Sequence, residues 1–357
     1  MVHSNWIKRE SERRGYSRLT RLALSILLAV IAVAGIVADA SGSEDSSAAT
    51  QRIAPKIKPL PESVDCCVRA QDEIWFVSTR HLGFPLCSED DDVPRLVVRQ
   101  YDCDQGWICS RVEEFLSAES GLIGGQITLF YVHGNRKQTA ESYSDGWFMY
   151  RKLVCQAPNA PPIRFVIWSW PSEKYLGPRR DVRTKAERTS TDGMYLGWVL
   201  SHLNLASKVS LVGHSFGARI ILGALHVSAG GRLCGMRLTD SDINPAQPPV
   251  RVVINSAAEH SSWLAPGACH SRAYHRLDGM LNLYNSSDPI LHHYRIVDSS
   301  RPDAMGFYGA SGIGNWDDGG ARVEQWDIRC IVGRTHSSRA PYNTYLIDDI
   351  RRCAFWQ

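Results

Sequence analysis

Gly213-His214-Ser215-Phe216-Gly217 is the segment whose residue types and spacing could do chemistry. It fits G-x-S-x-G between a strand-like run, Lys208–Val212 (KVSLV), and a helical run from Phe216 to about Ala229. A strand that becomes a helix within so short a turn holds its central serine at a strained backbone angle, with the hydroxyl above the sheet edge. The flanking positions must be small to avoid collision, and Gly213 and Gly217 meet that need. The serine also starts a helix, where the macrodipole favours developing negative charge. The bland reading is a Gly-rich turn in which Ser215 only caps a helix. The apolar strand before it and the apolar helix after it weigh against that.

With these neighbours the chain resembles the α/β-hydrolase superfamily over roughly residues 70–355. The resemblance rests on GHSFGAR and on the segments LFYVHGNR and VIWSWPSEK, which look most like those of uncharacterised bacterial hydrolases. It implies an α/β fold, a Ser–acid–His mechanism and ester- or amide-cleaving chemistry. It identifies no substrate.

The resemblance also implies the chain order Ser, acid, His. The acid should follow a late strand. Asp288 does so after Leu281–Tyr284, with Asp278 and Asp298 as competitors and a turn-capping role as the alternative. The histidine should lie between the last strand and the closing helix, where His336 stands. The other histidines after Ser215 are His226, His260, His270, His275, His292 and His293. His226 falls inside the helix, too late to face the site. An imidazole, titrating ordinarily near pH 6.5, suits proton transfer at neutral pH. The oxyanion hole needs two backbone N–H donors: Phe216, directly after the serine, and Asn135, after the strand LFYV. Gly134 allows close approach there, and His133 could steady the loop. Trp168 and Trp170 are candidates to line a substrate pocket at the carboxyl edge of the sheet, or else are core.

The elements that must position these residues alternate. Glu73–Thr79, Arg95–Gln100, Gln126–Val132, Ile163–Trp168, Lys208–Val212, Val250–Ile254, Met280–Tyr284 and Val323–Val332 read as strands. Arg111–Ser117, Thr139–Cys155, Thr191–Leu203, Phe216–Ala229 and Tyr342–Cys353 read as helices. The helix after Ser215 is apolar nearly all round and should be buried. The pattern predicts a mostly parallel sheet covered by helices on both faces, and the resemblance implies that it is a single α/β-hydrolase domain over 70–357. Residues 299–320 form a Gly-rich insertion between Asp288 and His336, either a lid or a surface excursion. Asn285 heads a glycosylation sequon whose position argues against its use.

The chain has 357 residues, 44% hydrophobic and 22% charged, which excludes a largely disordered or polytopic membrane protein. The net charge of +3 belongs to the first 40 residues, which hold six Lys/Arg against three acids; the body is balanced at 34 and 34. A nucleic-acid partner is therefore not expected. Residues 1–21 are basic. Residues 22–40 hold an apolar run, Leu22–Ala38, and an A-x-A site, the layout of a signal peptide or a retained anchor. Either predicts a catalytic domain outside the cytoplasm, exported or membrane-tethered through 22–38. A linker, 41–69, follows.

Of ten cysteines none forms a C-x-x-C pair, so the expectation is buried thiols plus a few structural disulfides, with no metal and no cofactor. The partner is then a small-molecule ester-type substrate. The rival reading is a non-catalytic binding protein on the same fold, which would usually have lost one of the three site residues. A metal hydrolase lacks ligand clusters, and a redox protein lacks C-x-x-C.

Overall fold

The computed structural model describes residues 68–82, 94–117, 126–175, 177–203, 208–243, 247, 249–315 and 322–357. The basic segment, the signal or anchor, most of the linker, and Cys66, Cys67 and Cys87 lie outside the described residues. The described residues fall within one unit, Glu62–Gln357. Among them no helix is long and apolar enough to cross a membrane.

The apolar runs become strands β1 (Glu73–Ser78), β2 (Val97–Asp102), β3 (Gly106–Ser110), β4 (Ile127–Val132), β5 (Ile163–Ser169), β6 (Lys208–His214), β7 (Val250–Asn255), β8 (Leu277–Tyr284) and β9 (Arg322–Asp327). Their order in the sheet is β3-β2-β1-β5-β4-β6-β7-β8-β9. The two pairings at the β3 edge are antiparallel and all others parallel. Every residue of β4 and β5 is buried, as continuous apolar strands in a covered sheet must be. Each fully buried large side chain there contributes about 1.5–3 kcal/mol.

The longer helices are α1 (Val112–Ser117), α2 (Thr139–Tyr150), α3 (Pro178–His202), α4 (Phe216–Ser228) and α5 (Leu346–Ala354). Helices α3 and α4 share a core with Phe130, Val132, Trp168 and Leu211 on one face of the sheet. Helices α2 and α5 share the other core with Leu129, Tyr131, Phe165 and Ile167. All thirteen residues of α4 are buried, as its apolar circumference requires. The chain leaves β4 for β5 on one side and returns to β6 on the other. The order therefore reverses between β4 and β6, and in open α/β sheets ligands bind beyond the carboxyl ends of the strands at such a position. Asn135 and Ser215 follow those two strands.

The structure departs from the sequence expectation in four places. Helix α3 begins at Pro178, not Thr191, because its buried face is charged. Arg188 pairs with Asp192 at 2.9 Å and Lys185 with Asp181 at 3.5 Å, so no apolar period marks the first turns. Strand β3 was not anticipated. It forms because Asp102 Oδ1 accepts from the Asp104 and Gln105 amides, both at 2.8 Å, and Gly106 takes φ 76° to close a hairpin. Strand β9 stops at Asp327, whose carboxylate caps a helical turn over Arg329–Val332 by accepting from the Arg329 amide at 3.1 Å. Cys103, Cys109, Cys234, Cys269 and Cys330 are free thiols on the surface, where buried thiols were expected.

Candidate active site

Ser215 sits between β6 and α4 at φ 53° and ψ −121°, a backbone conformation that costs a non-glycine residue about 1–3 kcal/mol. Three main-chain bonds hold it there. Its amide donates to Asn255 O at 3.2 Å, and its carbonyl accepts from Ala218 N and Ala258 N, both at 3.1 Å. The next turn is pressed against the end of β4. A Cβ on Gly217 would lie 2.1 Å from Val132 O, so only glycine fits.

The structure brings Ser215, His336 and Asp288 together. His336 Nε2 accepts from Ser215 Oγ at 3.0 Å, and His336 Nδ1 donates to Asp288 Oδ2 at 2.6 Å. Those two bonds fix the tautomer, with the proton on Nδ1 and the lone pair facing the serine. Asp288 is fully buried, and its other oxygen accepts from the Ile290 and Leu291 amides at 2.9 and 3.0 Å. Burial pushes its carboxyl up, but the His336 ring and these hydrogen bonds outweigh burial and hold it below the usual range. It thus caps a turn, as the alternative reading had it, and holds His336 as well.

The competing residues are committed elsewhere. Asp278 pairs with Arg251 at 2.7 Å, and Asp298 with His260 at 2.7 Å. His270 lies 2.6 Å from Glu259, and His226 is buried within α4. His292 is exposed, with its ring against Phe307.

The Phe216 amide opens α4, and the Asn135 amide follows the end of β4. The Gly134–Asn135 loop is held from beneath by His133, which is fully buried. His133 Nδ1 donates to Gly134 O at 2.8 Å. Its Nε2 accepts from Arg80 Nη2 at 3.2 Å and Trp170 N at 3.3 Å. Burial, with the Arg80 charge, pushes its pKa down to about 3, so it stays neutral.

Trp170 Nε1 donates to His133 O at 2.8 Å, and its ring stacks on the His133 ring. Ser172 Oγ accepts from Lys137 N at 3.1 Å and donates to Lys137 O at 3.0 Å. The HGNR and WSWPS segments are therefore one knitted unit. Trp168 and Trp170 have no exposed surface and belong to the core, so neither lines an open pocket. That corrects their candidacy as substrate contacts.

Three residues in this network gave no usable sequence signal. Arg80 reaches from the end of β1 to Ser169, Glu173 and His133. Asn285, 1% exposed, donates from Nδ2 to Gly333 O and Thr335 O at 2.9 and 3.0 Å, which ties the His336 loop to the Asp288 loop. His214, inside the motif, donates from Nε2 to His336 O at 3.1 Å. Burial, then the neighbouring His336, pushes the His214 pKa well below the ordinary histidine value. The insertion is anchored where it is described: Met305 N and Gly306 N donate to Glu259 O and Ala257 O, and Ser311 N donates to Ser261 O.

No family model matches the chain, and no curated protein matches it. Among solved structures it is similar to acyl-protein thioesterase 2 of Zea mays, at 12% identity and TM-score 0.34, over 64% of this chain and 94% of that one. It is also similar to a metagenomic carboxyl esterase, at 15% identity and TM-score 0.25, over 66% and 73%. Likenesses this slight leave the fold resting on strand order and the site on its own geometry.

Proposed function

We propose that the chain is a serine hydrolase that cleaves a carboxylic ester, in preference to a thioester or amide, through an acyl-enzyme on Ser215. The observation that carries this is the Asp288–His336–Ser215 hydrogen-bond chain at a strained strand–helix turn. Ser215 Oγ attacks the carbonyl carbon as its proton passes to His336 Nε2. The carbonyl electron pair moves onto oxygen, facing the Phe216 and Asn135 amides. Asp288, ionised at neutral pH, stabilises the imidazolium. Collapse expels the alcohol, which takes the proton from His336. Water then repeats the cycle and releases the acid, restoring the Ser215 hydroxyl. On the strength of the apolar run 22–38 and its basic flank, the catalytic domain works outside the cytoplasm, exported or tethered.

The test is a fluorophosphonate probe on the purified full chain, read by peptide mass spectrometry. The expected result is an adduct on Ser215, absent in Ser215→Ala and strongly slowed in His336→Ala. A folded protein that stays unlabelled overturns the reaction class and favours a binding role. Recovery of the native chain in the soluble cytoplasmic fraction overturns the location.

A further inference from the structure

Asp145 on α2 is one buried carboxylate shared by two cations. Lys137 Nζ lies 2.8 Å from Oδ2, and the Arg339 guanidinium donates to Oδ1 from Nη2 at 2.7 Å and from Nε at 3.1 Å. The Asp145 side chain is 3% exposed, whereas those of Lys137 and Arg339 are 27% and 42% exposed. Lys137 stands two residues after Asn135, and Arg339 three after His336. The pair therefore belongs to the two loops that carry the reacting groups, and it holds one positive charge beyond what Asp145 neutralises.

The other acids along this rim are engaged. The Glu141 carboxylate accepts from Gln138 N at 2.6 Å, Glu173 pairs with Arg80, and Asp181 is shared by Arg136 and Lys185. The surplus extends along the sheet edge. Segments 133–145, 170–183 and 327–339, at the ends of β4, β5 and β9, carry nine Lys and Arg against five acids, although residues 41–357 are charge-balanced. The Lys137 charge reaches the site itself, where it adds to the depression of His133 and His214 that burial begins. With Asp145 shared, the exposed faces of Lys137 and Arg339 keep charge that a ligand anion can pair with, and charge-assisted bonds to Lys and Arg supply such recognition. A basic rim also steers anions to the site.

We propose that Lys137 and Arg339 recognise an anionic group, a carboxylate or a phosphate, carried by the ester that Ser215 cleaves. This rests on the serine-hydrolase reading. The pair selects among substrates, and Asp145 holds its two cations in place between the loops.

The test compares kcat/KM for matched esters with the full chain. Mono-4-nitrophenyl glutarate is set against 4-nitrophenyl valerate for a carboxylate on the acyl side. Butyryl-glycerol phosphate is set against monobutyrin for a phosphate on the alcohol side. The expected result is a preference of at least about tenfold for the anionic member of one pair, shrinking as salt shortens the Debye length below about 10 Å. Lys137→Met and Arg339→Met each lower the anionic-to-neutral ratio about fivefold or more by loss of a charge-assisted bond, and Lys137→Arg restores it. Where turnover is too slow to follow, protection of Ser215 from fluorophosphonate by glutarate, against butyramide, gives the same reading. Equal or poorer use of both anionic esters, with Ser215 labelled by the probe, overturns this proposal and leaves the hydrolase reading intact. An unlabelled Ser215 overturns both.

Discussion

Replacing Gly134 by alanine tests whether the loop after β4 is set by contact with the strand–helix turn. The new Cβ would lie 2.6 Å from His214 Nδ1 and 3.2 Å from both His214 Cε1 and Ser215 Cβ. The His214 ring cannot swing aside cheaply. It is 7% exposed, bonded to His336 O, and 4.9 Å from the His336 ring. The Gly134–Asn135 backbone must therefore retreat by about 1 Å to regain ordinary contact distance, which takes the Asn135 amide away from the substrate oxygen. Losing one such donor costs about 2.7–4 kcal/mol, so kcat should fall roughly 10²–10³-fold with a smaller change in KM. His214→Ala alone should cost about 1–3 kcal/mol of folding stability through the carbonyl left unpaired, with its own effect on kcat measured separately. In the double variant the ring is gone, and the tightest remaining contact of the new Cβ is Ser215 Cβ at 3.2 Å. The two effects should therefore fail to add, with at least about 1.4 kcal/mol, a factor of ten in kcat, recovered relative to the sum. The assay is kcat and KM on 4-nitrophenyl valerate for the four proteins, with urea midpoints to separate stability from turnover. Strict additivity would refute the argument, because it would mean that Gly134 and the His214 ring do not compete for the same space.

Asp288→Asn should keep the fold and lower kcat about 10⁴-fold, because an amide that donates toward His336 Nδ1 selects the wrong tautomer; steady-state turnover checks this, and a loss below about tenfold would remove Asp288 from the mechanism. Acid should destabilise the protein from about pH 6.5 downward, where ordinary histidines titrate. Burial first, helped by Arg80 for His133 and His270 for His226, holds these rings at about 3 and about 4, and burial with His336 holds His214 well below its ordinary value. Between pH 6.5 and 4 the unfolded chain thus binds protons that the folded chain does not, so stability falls as pH falls. Asp192, pushed up to about 6 by burial against the pull of Arg188, acts with the opposite sign and offsets one of these histidines. Burial also lowers His260 and His293, which act with the same sign as the other histidines, so the net slope keeps that sign; urea unfolding at pH 6.5 and 4.5 reads it, and a flat or rising stability would contradict buried neutral histidines.

What could be read from the chain and what could not divides along one physical line. Strands β4, β5 and β6 are continuous apolar runs because both faces of the sheet are covered, so hydropathy alone marks them. The turn at Ser215 is legible because its requirements are local: two small residues, a strand before, a helix after. The first half of α3 was illegible for the opposite reason. Its inner face is built from Asp181, Lys185, Arg188 and Asp192, which are buried only because each meets a counter-charge, and Arg136 belongs to a segment some 45 residues away. The supports of the site share that property. Arg80 meets His133 across 53 residues, Asn285 meets Gly333 across 48, and Arg339 meets Asp145 across 194. None belongs to a periodic pattern or a short motif, and an arginine or asparagine in a loop reads as solvated surface until the sheet order is known. That order is what makes the residues neighbours: parallel pairing sends the loops after β4, β5, β6, β8 and β9 to one edge. A local motif can therefore disclose the reacting atoms. The groups that aim those atoms, and the charges that would select what reaches them, exist as a set only in the folded chain.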